Sequence, residues 1–424
     1  MKNFHRPLLS LAAGLLFAAL LSSCATSHQT SASAAPQVAP RDRILILISL
    51  DGFRWDYLQK FHPPHLEELA TNGVRAERLI SAFPSLTFPN HYTIVTGLWP
   101  EYHGIIANSF YDPGFKTNFT LGNSGPTDGR WWNGEPIWVT AVKQGREADC
   151  MFWPGSEAAI EGMRPTQWQH FDKNVQPTNC VDTALGWLAE TNGKPSLVTL
   201  YFHETDTAGH HDGPDSQAMV IAVTQVDNAI GYLMNGIHKL NLDDRVNIIV
   251  VSDHGMTPIS TDRIIDLSQL VDSSKVQVDF SGAVAGLRPL DGDADALYAS
   301  LAAKAQHYQV YNHSNTPARF HYDQGDRIPP VVMVADEGWY ISKRAPQPGH
   351  EFEKATHGYD PELISMGATF IAYGPAFQHG AVIPPVENVN IYNLLCATLR
   401  LTPAPNDGSD TLVEEVLAKW QTQR

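Results

Sequence analysis

Residues 43–50 read RILILISL, and Asp51-Gly52-Phe53 follow them directly. An uninterrupted apolar run of this length is typical of a β-strand buried on both faces of a parallel sheet. Comparable runs occur at residues 196–202, 246–251 and 368–373. These four runs predict the strands of one central sheet.

Stretches with helical periodicity lie between the predicted strands, at residues 65–72, 216–240 and 390–399. Strands that alternate with helices favour an α/β fold, in which a mostly parallel central sheet has helices on both faces. Residues 262–345 interrupt this alternation with short amphipathic pieces and a Pro-rich end. We expect them to form a smaller inserted subdomain without a catalytic signature, within a single domain at residues 41–424.

The N-terminus predicts export rather than a folded element. Lys2 and Arg6 precede an apolar run at residues 8–21. A basic start followed by a run too short to span a bilayer is typical of a secretory signal peptide. We expect residues 1–23 to be that signal peptide and the protein to be exported to the periplasm.

The predicted cleavage site carries a possible lipid anchor. Residues 21–24 read LSSC, which resembles a bacterial lipobox in which Cys24 is lipidated. The alternative is an ordinary cleavage that leaves Cys24 as an incidental thiol. Residues 24–40 are small, polar and interrupted by prolines, so we expect a flexible tether.

The charge balance excludes one class of partner. The 424-residue chain has 29 Lys and Arg against 45 Asp and Glu, which gives a net charge of −16. Because duplex nucleic acids are bound through clustered basic residues, sequence-specific nucleic-acid binding is not expected. A small anion can still bind, since metal ions change the local field.

Carboxylates and imidazoles recur beside the predicted strands. They are Asp51, Asp206, His210, Asp253, His254 and His357. Alone, each has an ordinary explanation, such as a helix cap, an i,i+4 surface pair, a turn or a solvated histidine. Because the carboxyl ends of parallel strands meet at one edge of a sheet, the set together predicts a dinuclear site. Three protein ligands for each ion suit catalytic zinc, which keeps a position open for substrate.

A candidate nucleophile lies at the start of a predicted helix. Residues 86–92 read LTFPNHY, in which Pro89 suits a first helical turn and places Thr87 near the helix N-terminus. The partial positive charge there favours both an ionised hydroxyl and a phosphate, and a bound metal ion favours the ionised hydroxyl more strongly. The alternative is that Thr87 simply caps the helix.

In combination these motifs resemble the nucleotide pyrophosphatase/phosphodiesterase family of the alkaline phosphatase superfamily. The matching segments, in the family's order, are residues 48–54 (ISLDGFR), 87–91 (TFPNH), 96–105 (TGLWPEYHGI), 206–210 (DTAGH), 252–256 (SDHGM) and 356–358 (THG). The resemblance covers about residues 43–400. It implies an alkaline-phosphatase-like fold and makes residues 41–424 a zinc phosphodiesterase domain.

The resemblance also implies two zinc ions, their ligands and a mechanism. Asp51, Asp253, His254 and the Thr87 oxygen would hold one ion, and Asp206, His210 and His357 the other. Asn108 matches the family asparagine that donates a hydrogen bond to a phosphoryl oxygen. Thr87 would attack phosphorus in line with the leaving oxygen, and water would then hydrolyse the covalent intermediate.

The implied substrate is a nucleotide, from which a nucleoside 5′-monophosphate is released. Phe88 and Phe171 match aromatic positions that sandwich the base, although packing is an alternative role for each. Two other functions remain open. One is hydrolysis of lipid headgroup or glycerol phosphodiesters, and the other is a metal- or solute-binding lipoprotein without turnover. The candidate nucleophile Thr87 argues against the last, because a storage site needs none.

The charge of the expected site favours a diester over a monoester. Three carboxylates, two zinc ions and an ionised Thr87 together carry no net charge, so a singly charged phosphodiester fits better than a dianionic monoester. Among the matching segments, Arg54 is the one arginine left as a candidate phosphate clamp.

Export also bears on the cysteines. In an oxidising compartment we expect Cys150 and Cys180 to pair, and Cys396 to be a buried helix thiol.

Overall fold

A computed structural model describes residues 43–122, 124–190, 195–345 and 352–418 of the chain. The predicted signal peptide, tether and Cys24 lie outside these residues. The strands are β1 Ile44–Leu50, β2 Val74–Ala76, β3 Leu79–Ile80, β4 Ser109–Asp112, β5 Thr117–Thr120, β6 Glu147–Met151, β7 Gln167–Trp168, β8 Pro195–Phe202, β9 Val246–Val251, β10 Thr257–Pro258, β11 Ile264–Asp266, β12 Val276–Phe280, β13 Val284–Pro289, β14 Tyr308–Asn312, β15 Val331–Ala335, β16 Tyr340–Ser342, β17 Ala355–Thr356, β18 Phe370–Tyr373, β19 Ala381–Ile383 and β20 Val386–Glu387.

The α-helices match the predicted helical stretches and add several more. They are α1 Tyr57–Phe61, α2 Pro64–Asn72, α3 Thr87–Thr96, α4 Pro100–His103, α5 Ile137–Lys143, α6 Pro177–Glu190, α7 Glu204–Asp212, α8 Gln217–Lys239, α9 Ala294–Ala302, α10 Ile391–Leu399 and α11 Thr411–Val416. Among the described residues, no helix has the length and hydropathy needed to cross a membrane.

The central sheet contains the four predicted strands. Its strand order is β19-β2-β18-β9-β1-β8-β6-β7. Strand β1 runs parallel to both β8 and β9, and β6 runs parallel to β8 and β7. Strand β18 is antiparallel to its neighbours β9 and β2. The predicted, mostly parallel α/β sheet is therefore confirmed.

Helices cover both faces of this sheet. Successive side chains of β1 point to opposite faces and therefore pack against different helices. Ile46 and Ile48 belong to an apolar cluster with residues of α2, α6 and α8. Leu45 and Leu47 belong to a second cluster with residues of α3, α5 and α10. Burial on both faces explains why β1 is an unbroken apolar run rather than an alternating one.

Residues 276–335, within the predicted insertion, form a separate antiparallel sheet with the strand order β12-β13-β15-β14. Residues of this sheet and of α9 form their own apolar cluster, which includes Leu287, Leu301 and Met333. The connection between β14 and β15, at residues 313–330, returns to the central sheet's side of the molecule, where Phe320 stacks on Phe83 with ring centroids 4.0 Å apart.

The predicted disulfide between Cys150 and Cys180 is wrong. Both cysteines are buried free thiols. Cys150 points from β6 into the cluster that contains α3 and α5, whereas Cys180 of α6 packs on the opposite face of the sheet. The sheet separates the two thiols, which sequence spacing does not reveal. Cys396 is a buried thiol of α10, as expected.

Candidate active site

The carboxylates at the strand ends converge because their strands are neighbours. Asp51 directly follows β1, and Asp253 follows the adjacent β9, whose Val251 pairs with Ser49. Asp206 lies in α7, just after β8, whose Phe202 pairs with Leu50. All three side chains therefore lie at one edge of the sheet.

Gly52 allows the close approach of these segments. Its backbone N–H donates to Oδ1 of Asp253 over 3.1 Å, and its φ is +64°. A Cβ atom at this position would lie 3.1 Å from Cα of Asp206. Both the backbone angle and the contact with α7 explain a glycine here.

Asp51, Asp253 and His254 form the first of two ligand groups, called here site A, and all three are buried. Nε2 of His254 lies 2.9 Å from Oδ2 of Asp253 and 3.5 Å from Oδ1 of Asp51. Their potential ligand atoms all lie within 4.8 Å of one another, so one cation can contact all three.

Asp206, His210 and His357 form the second group, site B. Oδ1 of Asp206 lies 3.3 Å from Nε2 of His210 and 3.6 Å from Nε2 of His357. Strand β17 brings His357 here by pairing with β10, which follows His254. The rings of His254 and His357 stack with centroids 3.4 Å apart, so the two sites adjoin.

The three histidines are held in the orientation that metal ligands need. Nδ1 of His254 donates to the carbonyl of Gly255 over 2.9 Å. Nδ1 of His210 donates to that of Ala355 over 3.1 Å, and Nδ1 of His357 to that of Ser85 over 2.9 Å. Because a carbonyl only accepts, each Nδ1 carries a proton, and each Nε2 faces the carboxylates as the ring nitrogen open to a metal ion.

One buried oxygen of each carboxylate lacks the hydrogen-bond partner that its burial requires. Oδ1 of Asp51, Oδ1 of Asp206 and Oδ2 of Asp253 are buried and accept no hydrogen bond from any residue that the structure describes. Burial, and then the carboxylates of Asp253 and Asp206, raise the pKa of Asp51. Such oxygens are costly unless paired, and a divalent cation in each site would pair them. The nitrogen and oxygen donors suit zinc.

Thr87 begins α3 directly beside site A. Its buried Oγ1 lies 3.3 Å from Nε2 of His254, and Leu86 is the N-cap residue. Asn108 contacts the start of the same helix, where its Oδ1 accepts a hydrogen bond from the backbone N–H of Phe88 over 2.9 Å. That bond leaves the amide NH2 group of Asn108 free to act as a donor.

A cavity of about 550 Å³ joins the candidate nucleophile, Asn108 and the two aromatic residues. Phe88 is half-buried in its wall, and Phe171 is 45% exposed at its mouth. The lining residues are Asp51, Thr87, Phe88, Asn108, Leu121, Pro126, Thr127, Phe152, Trp153, Pro154, Gly155, Glu157, Phe171, Tyr201, Asp206, His210 and His357.

No lysine or arginine lines this cavity among the residues that the structure describes. Arg54, the candidate clamp, instead forms an ion pair with Asp56 over 2.5 Å and donates to the carbonyl of Met256 over 3.2 Å. Its charge is therefore already neutralised, and the described lining offers no lysine or arginine side chain to a dianion.

Two residues of the cavity carried no signal in the sequence. Tyr201 lies in β8, and its hydroxyl donates to Oδ2 of Asp51. Glu157 accepts hydrogen bonds from the backbone N–H of Phe171 over 2.9 Å and from Nδ1 of His170 over 2.6 Å. A tyrosine in an apolar strand and a glutamate in a loop are both ordinary, so neither could have been singled out.

The comparisons with known proteins agree with this geometry. Residues 45–360 match the sequence profile of the type I phosphodiesterase / nucleotide pyrophosphatase family. The chain belongs to this family. Human ectonucleotide pyrophosphatase/phosphodiesterase family member 5 is 35% identical over 380 residues, which cover 89% of this chain and 79% of the human protein.

Other family members show the same likeness over a shorter share of their length. Mouse family member 3 is 37% identical over 93% of this chain, yet the chain spans only 46% of that protein. The chain spans about half the length of the first relatives it matches.

A solved structure of murine family member 5 is also similar to this chain. It is an inactive threonine-to-alanine variant in complex with AMP, and its TM-score is 0.84 at 36% identity. The match covers 89% of this chain and 100% of the murine chain.

Proposed function

We propose that the protein is a two-zinc nucleotide pyrophosphatase/phosphodiesterase that releases nucleoside 5′-monophosphates through a covalent threonine intermediate. The observation that carries the proposal is the position of Thr87. Its Oγ1 lies 3.3 Å from a ligand of site A, at a helix N-terminus that opens into the cavity lined by Phe88 and Phe171.

Sites A and B each hold one zinc ion in this proposal. When bound, the ions act as Lewis acids that offset the negative charge on the attacking and leaving oxygens. Three buried oxygens, one each from Asp51, Asp206 and Asp253, accept no hydrogen bond from the described residues and support this assignment. The uniform orientation of the three histidines supports it as well.

The protein's own residues account for nucleophile, orientation and charge. The helix N-terminus of α3 favours the ionised form of Thr87, whose Oγ attacks phosphorus. The Oγ–P bond forms as the bond between phosphorus and the leaving oxygen breaks. The Asn108 amide donates to a phosphoryl oxygen throughout. Water then cleaves the phosphodiester that joins Thr87 to the nucleoside, which releases the nucleoside 5′-monophosphate and regenerates the Thr87 hydroxyl.

A nucleotide fits the cavity better than other phosphodiesters. Two aromatic side chains, Phe88 and Phe171, line the same cavity as the nucleophile and are suited to stacking on a base. The AMP complex of the murine relative supports a nucleotide ligand. The absence of lysine and arginine from the described lining favours a monoanionic diester.

The predicted export gives this reaction a compartment. We place the protein in the periplasm, with Cys24 as its lipid anchor, on the basis of residues 1–24 alone. Membrane fractionation of the full chain and of a Cys24→Ala variant tests this placement, because only the anchored form should sediment with membranes.

The central experiment measures hydrolysis of thymidine 5′-monophosphate nitrophenyl ester by the purified protein with and without zinc. Thr87→Ala should lower turnover by at least about 10³-fold, as loss of a nucleophile does. The variant should still bind two zinc ions by elemental analysis. Turnover that persists in Thr87→Ala, or that needs no metal, would overturn the proposal. A panel of ATP, diadenosine polyphosphate, cyclic dinucleotide and glycerophosphocholine then ranks the natural substrates.

A further inference from the structure

The segment that carries Asn108 joins helix α4 to the short strand β4. It is defined here as the Asn108 loop, residues 104–112, which runs from the end of α4 to the end of β4. Oδ1 of Asn108 accepts a hydrogen bond from the backbone N–H of Phe88, one residue after the proposed nucleophile, and the amide NH2 group of Asn108 is the donor proposed for the phosphoryl group. A shift of the loop would therefore move the donor relative to the phosphoryl group.

The Asn108 loop is held by side chains from the connection between β14 and β15. The hydroxyl of Tyr322 donates to the carbonyl of Ile106 over 2.9 Å, two residues before Asn108. Tyr322 is 1% exposed, and its ring contacts Phe83 edge-on with centroids 5.2 Å apart. The contact is thus buried and directed at the backbone of the loop.

Arg327 holds both ends of the same loop. Its Nη1 donates to the carbonyl of Gly104 over 2.9 Å, and its Nε donates to Oδ2 of Asp112 over 2.7 Å. Nη1 also donates to the carbonyl of Trp131 over 2.6 Å. The ion pair is largely shielded from solvent, with 15% of the Arg327 side chain and 8% of the Asp112 side chain exposed.

Backbone contacts extend this attachment to the preceding helix. The N–H groups of Asp323 and Gln324 donate to Oε2 of Glu101 in α4 over 2.9 and 3.0 Å. The inserted residues therefore contact the Asn108 loop at its start, middle and end, although they supply none of the cavity's lining.

We infer that Tyr322 and Arg327 are positioning residues that hold Asn108 in place to bind the phosphoryl group. This inference rests on the proposed function, in which Asn108 donates to a phosphoryl oxygen. It gives the subdomain at residues 262–345 a role in catalysis that its sequence does not suggest. Neither residue touches the substrate; both act through the backbone of the loop.

Tyr322→Phe is the sharpest test, because it removes one hydroxyl and keeps the ring. We expect kcat/KM for thymidine 5′-monophosphate nitrophenyl ester to fall roughly tenfold, since a small misplacement of a binding group is costly. Asn108→Ala alone should cost about a hundredfold, as expected for one lost oxyanion donor. Adding Tyr322→Phe to Asn108→Ala should lower the rate by no more than about twofold, because coupled residues are not additive.

The matched control is Tyr308→Phe. Tyr308 of β14 is also a buried tyrosine, and its hydroxyl also donates to a backbone carbonyl, that of Leu301, over 2.9 Å. It should lower the thermal midpoint about as much as Tyr322→Phe does but leave kcat/KM unchanged. Arg327→Lys, which keeps the charge but cannot make all three contacts, should act in the same direction as Tyr322→Phe.

Two outcomes would overturn the inference while the proposed function stands. One is an equal loss of kcat/KM in Tyr322→Phe and Tyr308→Phe. The other is a Tyr322→Phe loss that is as large in the Asn108→Ala background as in the wild type. A wild-type protein without zinc-dependent turnover would instead mean that the proposed function itself had failed.

Discussion

The hydroxyl of Tyr201 donates a hydrogen bond to Oδ2 of Asp51, from strand β8 to the end of the neighbouring strand β1. The other carboxylate oxygen, Oδ1, faces His254 over 3.5 Å. The Tyr201 ring also packs edge-on against Phe171, with centroids 5.6 Å apart. One side chain therefore contacts both a proposed metal ligand and the mouth of the cavity.

Tyr201→Phe should separate these two contacts. It keeps the ring against Phe171 but frees Asp51 to rotate, and loss of an outer hydrogen-bond partner typically lowers metal affinity about 10- to 100-fold. Zinc affinity is measured by competition with a chelating dye, and AMP affinity of the zinc-loaded protein by calorimetry. Zinc affinity should fall by that factor, while AMP affinity should stay within about twofold of the wild-type value. Tyr308→Phe should change neither, and an unchanged zinc affinity in Tyr201→Phe would contradict the prediction.

A second prediction concerns Asp51 in the metal-free protein. Burial and the carboxylates of Asp253 and Asp206 raise its pKa, which means that its ionised form is unfavourable when no cation is present. Asp51→Asn should therefore raise the thermal midpoint of the chelator-treated protein. With saturating zinc the order should reverse, because the wild type gains about 4 kcal/mol for each ion present at a thousand times its Kd.

The comparison needs only calorimetric scans of the two proteins with chelator and with zinc. Each protein serves as its own control for folding. An Asp51→Asn variant that is less stable than the wild type under both conditions would show that the carboxylate has a role in folding independent of metal.

The sequence predicted the candidate metal ligands and Asn108, but not the tyrosines that contact Asp51 and the Asn108 loop. Asp51, Asp206 and Asp253 follow strands whose parallel pairing determines that their ends meet, so chain position alone brings them together. Tyr201 contacts Asp51, which lies 150 residues away in the sequence. Tyr322 contacts Ile106, which lies 216 residues away. Such contacts depend on how the whole domain packs, and no local pattern records them.

The wrong disulfide has a related cause. The strand register determines which face of the sheet a side chain points to, and a shift of one residue moves the side chain to the opposite face. Cys150 faces one side and its neighbour Met151 the other, the side on which Cys180 packs. The predicted export suggested an oxidised pair of cysteines, but only the strand register decides which thiols lie on the same face of the sheet.

A third prediction concerns pH and lies away from the site. Asp149 in β6 is fully buried, and burial followed by the charge of Glu147 raises its pKa to about 7. Its Oδ1 accepts a hydrogen bond from the N–H of Gln167 over 3.1 Å, whereas Oδ2 accepts none from the described residues. At pH values between the pKa of Asp149 in the unfolded chain, about 4, and its pKa in the folded protein, the folded protein holds a proton that the unfolded chain has released. The contribution of Asp149 to the free energy of unfolding therefore falls as the pH rises through this range.

Asp149→Asn keeps the acceptor for Gln167 and removes the charge. It should raise the thermal midpoint at pH 8 and have a smaller or opposite effect at pH 5. The control is Asp244→Asn, which changes an exposed aspartate between α8 and β9 and should leave the thermal midpoint nearly unchanged at both pH values. A stabilisation by Asp149→Asn that is the same at both pH values would contradict the assigned cause.

A fourth prediction follows from the charge of the cavity. Arg54 is paired with Asp56, and no lysine or arginine lines the described cavity, so a second phosphate charge has no fixed partner. We expect kcat/KM for the nucleotide nitrophenyl diester to exceed that for nitrophenyl phosphate by at least about tenfold, since one uncompensated charge in a partly buried site costs more than 1.4 kcal/mol. Equal or greater efficiency on the monoester would refute this account of the charge.

The last prediction tests base stacking by Phe88 and Phe171. Loss of one stacking partner costs about 1–3 kcal/mol for each base, which is roughly 5- to 150-fold in affinity. Phe88→Ala and Phe171→Ala should each raise KM for the thymidine ester within that range. Each variant should raise KM for a small aryl methylphosphonate much less, because that substrate has no base. Tyr102→Ala provides the control, since Tyr102 is similarly exposed, at 48%, but lies outside the cavity. If Phe171→Ala raises KM equally for both substrates, its ring supports the wall of the cavity through Phe152 and Tyr201 instead of stacking on the base.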